Sequence, residues 1–428
     1  MNTIFAQATA MGRAGVSIVR VSGPLAHSAC EKLVGRLPAP RGSALRMVKD
    51  LSGEFIDQAL ILRFDGPDSF TGEDVVELHV HGSIAIIRSV LDVLGQCDGL
   101  RLAEAGEFTR RALENGRLDL VQVEGLADLI EAETEAQRKQ ALRVLSGELG
   151  SKVEEWRRAL IRSAALLEAT IDFADEEVPV DVSDEVRDLL SKVQSELERE
   201  IEGTLAAERI RTGFEIAIMG APNVGKSTLL NRLAGRDAAI TSSIAGTTRD
   251  VIEVRMDLGG LPVTLLDTAG IRDSDDEIEA LGVKRALARA EQADVRVVLL
   301  GNGCDAPFDV RADDLILESK ADISGKAYPA ISGSSGAGVD ELLEDLGGKL
   351  SQLASSAGLA THARHASAMG IALGGLNTAV DLLDSGPDHY DIAAAELRLG
   401  THALEALVGR IDAENLLDEI FASFCLGK

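Results

Sequence analysis

Hydrophobic and polar positions change period several times along the chain, and each change marks a new architecture. In residues 1 to about 117 the pattern is mixed. "VSIVRV" (Val16–Val21) and "QALILRF" (Gln58–Phe64) read as strands. "VVELHVH" (Val75–His81) alternates, with Val76, Leu78 and Val80 on one face and Val75, Glu77, His79 and His81 on the other. "SIAIIRSVLDVL" (Ser83–Leu94) follows as a helix. From Leu118 to Phe173 apolar residues recur at helical spacing: Leu126, Leu129 and Ile130, then Leu142, Leu145, Leu149, Val153, Trp156 and Leu160. Long helices with one buried stripe are expected. Acidic "FADEEVPVDVSDE" interrupts them, and a further helix is expected over about Val186 to Ala207.

At Phe214 the period switches again. "FEIAIMG" is a short apolar strand ending in glycine, and strand and helix signals alternate to about Leu350. That alternation predicts an α/β unit with a mainly parallel sheet. After "SQLASSAGLATHA" the helical spacing returns, through Ile371, Leu373, Leu376 and Leu382, then Leu397, Leu404, Leu407, Ile411, Leu416, Leu417, Ile420, Phe421 and Phe424. Both helical stretches have an apolar face to bury. Packing one on the other makes the α/β unit an insertion in a discontinuous helical domain. The expected spans are 1–117, 118–208, 209–350 and 351–428.

Composition narrows the setting. Of 428 residues, 45% are hydrophobic and 26% charged, as in ordinary globular proteins, while aromatics reach only 3%. No long unbroken apolar run and no signal-peptide pattern is read, so no membrane role is expected. The four cysteines (Cys30, Cys97, Cys304 and Cys425) form no CxxC pair, which argues against a zinc or disulfide framework and fits a reducing cytoplasm. A net charge of −27 repels phosphate backbones, so work on nucleic acid would call for a local basic patch or a basic partner.

Candidate chemistry centres on "GAPNVGKS" (Gly220–Ser227), a G-x-x-x-x-G-K-[ST] motif after a predicted strand and before the helical "TLLNRLAG". Its backbone amides would curl around phosphate oxygens, with Asn223, Val224, Gly225 and Thr228 in the cradle. Lys226 would place a charge on the β/γ-phosphates, and the Ser227 hydroxyl would ligate Mg²⁺. "LLDTAG" follows another strand; Asp267 suits the Mg²⁺ shell, Thr268 and Ala269 follow it, and the Gly270 amide suits a γ-phosphate. Between the two lies "AGTTRD", where Ala245, Gly246 and Thr247 lead to Thr248, a second Mg²⁺ hydroxyl on a switch loop. "LESKAD" supplies Ser319, Lys320 and Asp322, near the guanine pattern N-K-x-D; Asp322 would accept from guanine N1 and N2. Ser319 departs from that pattern, so slacker nucleotide binding is expected. "ISGSSGAG", with Ser332, Gly333 and Ser334, suits a loop touching the base. Ile271 follows Gly270 and cannot orient water, so a carboxylate of "RDSDDEIEALG" becomes the candidate.

With these motifs in place the whole chain resembles the MnmE (TrmE) family of tRNA-modification GTPases. The resemblance rests also on "SFTGEDVVELHVHG", "AGEFTRRALENGRLDL", "DLIEAETEAQ", "TIDFADEE" and the terminal "FCLGK". It implies an α+β N-terminal domain of the folate-binding kind and a discontinuous all-α helical domain carrying an inserted Ras-like α/β P-loop GTPase domain. It implies homodimerisation and a 5-formyl- or 5,10-methylene-tetrahydrofolate held by Arg20, Glu77, Arg117 and Lys428, with Arg117 where a lysine is common. It implies K⁺ activation through Asn223, Ser242, Ile244 and Thr247, with Ser243 in the same loop, and Glu279 as the catalytic carboxylate. It also implies a flavoprotein partner, MnmG (GidA), which carries FAD and most of the tRNA contact in a heterotetramer. The product implied is a (carboxymethyl)aminomethyl group on C5 of the wobble uridine. From its residues alone, Cys425 could be a core thiol or a working one; the resemblance implies a reactive or substrate-positioning role beside Lys428. A non-modifying regulatory or ribosome-assembly GTPase is the competing reading, and an ATP-using P-loop enzyme a third.

Overall fold

The computed structural model describes residues 2–172, 182–235, 253–267, 288–301, 306, 308–411, 420–421, 424 and 427. Two compact units emerge, 1–127 with 405–428, and 128–404.

The first unit is built on a six-stranded sheet. Its strands are β1 (Thr3–Gln7), β2 (Ala14–Ser22), β3 (Ser43–Lys49), β4 (Phe55–Phe64), β5 (Val75–Gly82) and β6 (Leu100–Leu102), in the order β3-β4-β5-β2-β1-β6. All pairs are antiparallel except β1 with β6. The alternation read in β5 sorts its residues by face. Val76, Leu78 and Val80 are buried with Cys30 and Leu33 of α1 (Ala26–Val34) and with Val90 and Leu94 of α2 (Ile84–Gly95). Glu77, His79 and His81 take the opposite face, where β5 meets β2 with Arg20 directly across from Glu77. Two short helices follow, α3 (Glu107–Glu114) and α4 (Leu120–Glu131). Phe421 and Phe424 bury themselves with Val123 of α4, and a Cβ on Gly106 would collide with Phe421 at 2.6 Å.

In the second unit, helices flank an α/β block. α5 (Glu135–Leu145), α6 (Glu148–Asp172) and α7 (Ser183–Thr212) precede it; α11 (Ala363–Asp384) and α12 (Tyr390–Leu407) come after. α11 packs along α7, so the block enters the chain between two helices that touch. α6 buries Leu149, Val153, Trp156 and Leu160, as its spacing predicts. Leu142 and Ile371, expected on apolar faces, are exposed instead. Their neighbours take those faces: Ala141 and Val144 on α5, and on α11 Met369, Ala372, Ala379 and Leu383 with Leu376, which is buried as expected. Among the described residues α11 is the one helix whose length and composition would suit a membrane span.

The block itself holds β7 (Phe214–Gly220), α8 (Lys226–Ala234), β8 (Glu253–Leu258), β9 (Leu261–Asp267), β10 (Val295–Leu300), β11 (Leu315–Ser319), α9 (Ala321–Ser324), β12 (Ala330–Ile331) and α10 (Val339–Ala354). Strand order is β12-β11-β10-β7-β9-β8, parallel apart from β8 with β9. From Ile216 to Met219 β7 is buried on both faces, which is why that stretch reads as apolar after Glu215. The described residues between β10 and β11 form no helix.

Candidate functional site

β7 lies between β9 and β10, and the chain leaves it to build the sheet outward in both directions. The crevice beyond the carboxyl end of such a strand is where doubly wound sheets bind ligands. The 220–227 loop occupies that position. Gly220 adopts φ +147, and a Cβ there would meet the Leu299 carbonyl oxygen at 2.5 Å. Asn223 at φ +62 and Gly225 at φ +111 turn the loop into the first residue of α8. Lys226 is 6% exposed and its Nζ donates to the Gly220 carbonyl at 2.8 Å and the Ala221 carbonyl at 3.0 Å. Those bonds hold the ammonium across the loop mouth, while Asn223, Ser227 and Thr228 are exposed at the helix start. Val224 is buried beneath them. Amides and a positive helix end face the same opening, which suits a polyphosphate.

A second loop closes on this one. Ser332 and Ser334 share a hydroxyl contact at 3.0 Å, and the Ser332 backbone bonds Ala337 and Gly336. Gly333 touches the backbone of Thr228 and Leu229. Arg232 of α8 donates to the Ser334 carbonyl at 3.0 Å. Asp322 lies opposite, its Oδ2 3.5 Å from the Ser334 hydroxyl. Lys320 sits at φ +62 and caps α9. Ser319 is 4% exposed, and its Oγ has no hydrogen-bond partner. The structure therefore gathers 220–228, 319–322 and 332–334 at one end of the sheet. The backbone of Asp267 ends β9 beside β7. Ser242, Ser243, Ile244, Ala245, Gly246, Thr247, Thr248, Thr268, Ala269, Gly270 and Glu279 lie outside the described residues, as does the side chain of Asp267.

In the first unit Arg20 and Glu77 meet across β2 and β5, Nε to Oε1 at 2.9 Å, and Glu77 Oε2 lies 3.3 Å from His79 Nε2. The Arg20 guanidinium is 5.3 Å from the Phe70 ring centre and 5.6 Å from that of Phe108, within cation–π range of both. Phe70 belongs to the 65–74 loop, whose Thr71 carbonyl accepts from Asn115 at 2.6 Å. A Cβ on Gly72 would stand 3.3 Å from Cγ of Arg117, so Arg117 flanks the same loop. Cys425 and Lys428 lie outside the described residues.

Sequence reasoning missed the buried ion pairs of Arg111, which join α3 to the 65–74 loop. Arg111, 5% exposed, donates to Glu73 at 2.9 Å, to Glu107 at 3.0 Å and to the Asn2 carbonyl at 2.9 Å. Burial raises the Glu107 pKa, but hydrogen bonds from Arg101, the Glu104 amide and Arg111 outweigh it and hold the carboxyl below its ordinary value. Nothing local in "AGEFTRRALENGRLDL" marks Arg111 as buried, because its partners Glu73 and Asn2 are distant in the chain.

Comparisons with known proteins agree along the whole length. The family described as "MnmE helical domain" matches residues 120–425, and "GTP-binding protein TrmE N-terminus" matches residues 3–117. A tRNA modification GTPase MnmE from Roseobacter denitrificans is 63% identical over 428 residues, covering 100% of both chains. One from Ruegeria pomeroyi is 60% identical over 429 residues, again covering 100% of each. Among solved structures, Aquifex aeolicus Era bound to GDP.AlF4- is 28% identical and covers 32% of this chain and 56% of that one, with a TM-score of 0.26.

Proposed function

The chain belongs to the MnmE (TrmE) family and is a GTPase of tRNA modification, and we propose that it adds a (carboxymethyl)aminomethyl group to C5 of a wobble uridine with an MnmG-type flavoprotein. The observation that carries the GTPase part is the seat of Lys226, buried yet held across the loop mouth by two carbonyls.

In this reading Asn223 to Thr228 hold the phosphates, and Ser227 with Thr248 holds Mg²⁺. Asp267 to Gly270 sense the γ-phosphate. Ser319, Lys320 and Asp322, with Ser332 to Ser334, hold guanine. Asn223, Ser242, Ile244 and Thr247 would hold K⁺, which would supply positive charge beside the phosphates. Glu279 orients the attacking water. The domain spans 1–117, 118–208, 209–350 and 351–428 belong to the same proposal, as does a homodimer.

The first unit would hold the folate. Arg20, fixed by Glu77 and flanked by Phe70 and Phe108, offers a cation beside two aromatic faces. That combination suits a planar heterocycle with a carboxylate tail. Arg117 and Lys428 would add charge to the tail, and the folate would supply a one-carbon unit when bound. Cys425 would serve beside it.

Mass spectrometry of tRNA from a deletion strain tests the modification. Loss of the C5 group from wobble uridines is expected; unaltered uridines would favour a regulatory or ribosome-assembly GTPase. Hydrolysis compared in KCl and NaCl tests the cation, with faster turnover expected in KCl. Cys425→Ser is expected to abolish modification and leave GTP hydrolysis intact.

A further inference from the structure

The 65–74 loop, which carries Phe70 to Arg20, stands on two aspartates. β4 ends at Phe64 and β5 begins at Val75, and these two residues pair in the sheet. Asp65 and Asp74 are therefore adjacent feet of one loop. Over them lies the first turn of α1. Its His27 places Nε2 3.4 Å from Asp65 Oδ1 and Nδ1 3.5 Å from Asp74 Oδ2. Both approaches fall within ion-pair distance, yet neither makes a hydrogen bond, and Nε2 is a buried atom with no hydrogen-bond partner. A buried ring nitrogen that makes no hydrogen bond is costly unless something else satisfies it.

One ligand atom from each of the three residues lies within 4.8 Å of the others, and this is such a cluster among the described residues. Zinc bonds imidazole nitrogen and carboxylate oxygen at about 2.0–2.2 Å, so two ligands on a tetrahedral edge stand about 3.3–3.6 Å apart. The spacing of Nε2 and Asp65 Oδ1 falls in that range; Asp74 faces the other ring nitrogen, within 4.8 Å of the cluster, and joins the shell of an ion on Nε2 by turning toward it. We propose that His27, Asp65 and Asp74 form a divalent metal site of the zinc class, which pins the 65–74 loop to the start of α1. Neutral imidazole with two carboxylates gives a net negative, mixed N/O donor set that suits zinc. The side chains of Asp65 and Asp74 are 36% and 37% exposed, leaving room for water to complete the shell.

The surroundings set the strength. Arg63 donates to Asp65 Oδ1 at 2.8 Å and Oδ2 at 3.2 Å, and competes for that carboxylate. The Gly66 amide donates to Asp74 Oδ1 at 3.0 Å and fixes its rotamer. The backbone of Asp74 accepts from Gly23 at 3.0 Å, which brings the entry of α1 onto the same foot. With no thiolate in the set, binding should be weaker than in structural zinc sites and reversible. Its consequence is mechanical. The same loop carries Thr71 and Glu73, which bond Ser22, so an ion at its feet would stiffen the wall beside Arg20.

The test uses the full chain, freed of nucleotide and stripped of metal. ZnCl₂ is titrated by calorimetry, and CoCl₂ by its visible absorption, into the wild type, His27→Gln and Asp65→Asn. The wild type should bind one ion more per chain than either variant, and show a cobalt band that both variants lack. Zinc should raise the melting temperature of the wild type alone. Metal-free melting curves establish that the variants fold, and Asp65→Asn, at a more exposed position, stands in should His27→Gln unfold. Three results overturn the proposal: no zinc taken up by the wild type, equal stoichiometry in all three proteins, or loss of the ion only when His79 and His81 are replaced. A melting temperature that ignores zinc but falls as pH rises through the imidazole range would also overturn it, in favour of an imidazolium clamp between the aspartates.

Discussion

Gly333 lies so close to the first turn of α8 that a Cβ there would come within 2.6 Å of the Leu229 amide nitrogen and 2.7 Å of the Thr228 carbonyl carbon. Both are backbone atoms and cannot swing aside. The contact locks the 332–334 loop to the helix that starts at Lys226, so base and phosphate contacts share one rigid frame. Gly333→Ala would wedge the two apart. Overpacking of this kind costs about 1–3 kcal/mol, so GDP affinity should fall about fivefold to a hundredfold. Fluorescent-nucleotide titration measures this, and unchanged affinity would show that the loops move independently.

Lys226 makes its two carbonyl bonds at the loop mouth with its side chain almost wholly buried. The ammonium is thus placed before a phosphate arrives. Lys226→Ala should lower GTP affinity by about tenfold or more, since a hydrogen bond to a charged group is worth about 1.5–3 kcal/mol. Hydrolysis at saturating GTP should fall further, because the charge matters most as the phosphoryl group departs. Retained hydrolysis would place the phosphate elsewhere.

How much of this was legible depends on distance along the chain. The phosphate loop is local: eight consecutive residues between a strand and a helix carry their own geometry, and spacing finds them. The Arg20 cage is not local. Phe70, Phe108 and Glu77 come from a loop, a helix and a strand, and no period links them. The β5 alternation placed Glu77 on the open face, but only the register of β2 and β5 names Arg20 as its neighbour. Apolar stripes failed where alanine serves as the buried residue. Leu142 and Ile371 looked like core because side-chain size outweighs position in such a reading. The His27 cluster was invisible for the same reason as the cage.

Glu107 joins Arg101 and Arg111, and its pKa lies below the ordinary value. A carboxyl depressed in the folded state adds stability that is complete above the unfolded value of about 4.3 and disappears as pH falls through the folded one. Glu107→Gln should therefore be destabilised relative to the wild type near neutrality, and the gap should narrow on acidification below about pH 4.3. Urea unfolding across that range reads it directly. A gap independent of pH would mean that packing, not charge, holds the helix.

Arg296 and Asp314 are 5% and 1% exposed in their side chains and bond through Nε at 2.8 Å and Nη2 at 2.5 Å. The pair ties β10 to the segment entering β11, and Arg296 also reaches the Asp309 carbonyl at 2.9 Å. Removing one partner strands a buried charge, at a cost of about 3–5 kcal/mol. Asp314→Asn should therefore lower the unfolding midpoint of the 128–404 unit markedly. Replacing both residues with apolar ones of similar volume should recover much of the loss, whereas equal damage in the double variant would argue for shape over charge.

Ser319 is the position where the guanine pattern has asparagine, and its hydroxyl is buried with no partner. An unsatisfied hydroxyl gives the folded state nothing and carries its desolvation cost. Ser319→Ala should therefore leave stability unchanged or raise it by about 1 kcal/mol, with GDP affinity lowered much less than by a change at Asp322. Asp322, aligned through Ser334 at the adjacent loop, would then carry most of the base selection. Its replacement by Asn should erase the preference for GDP over ADP, because an amide can present its own hydrogens to guanine N1 and N2. If Ser319→Ala weakens GDP binding as much as Asp322→Asn does, the hydroxyl turns toward the nucleotide on binding and the serine is a working substitute for the asparagine.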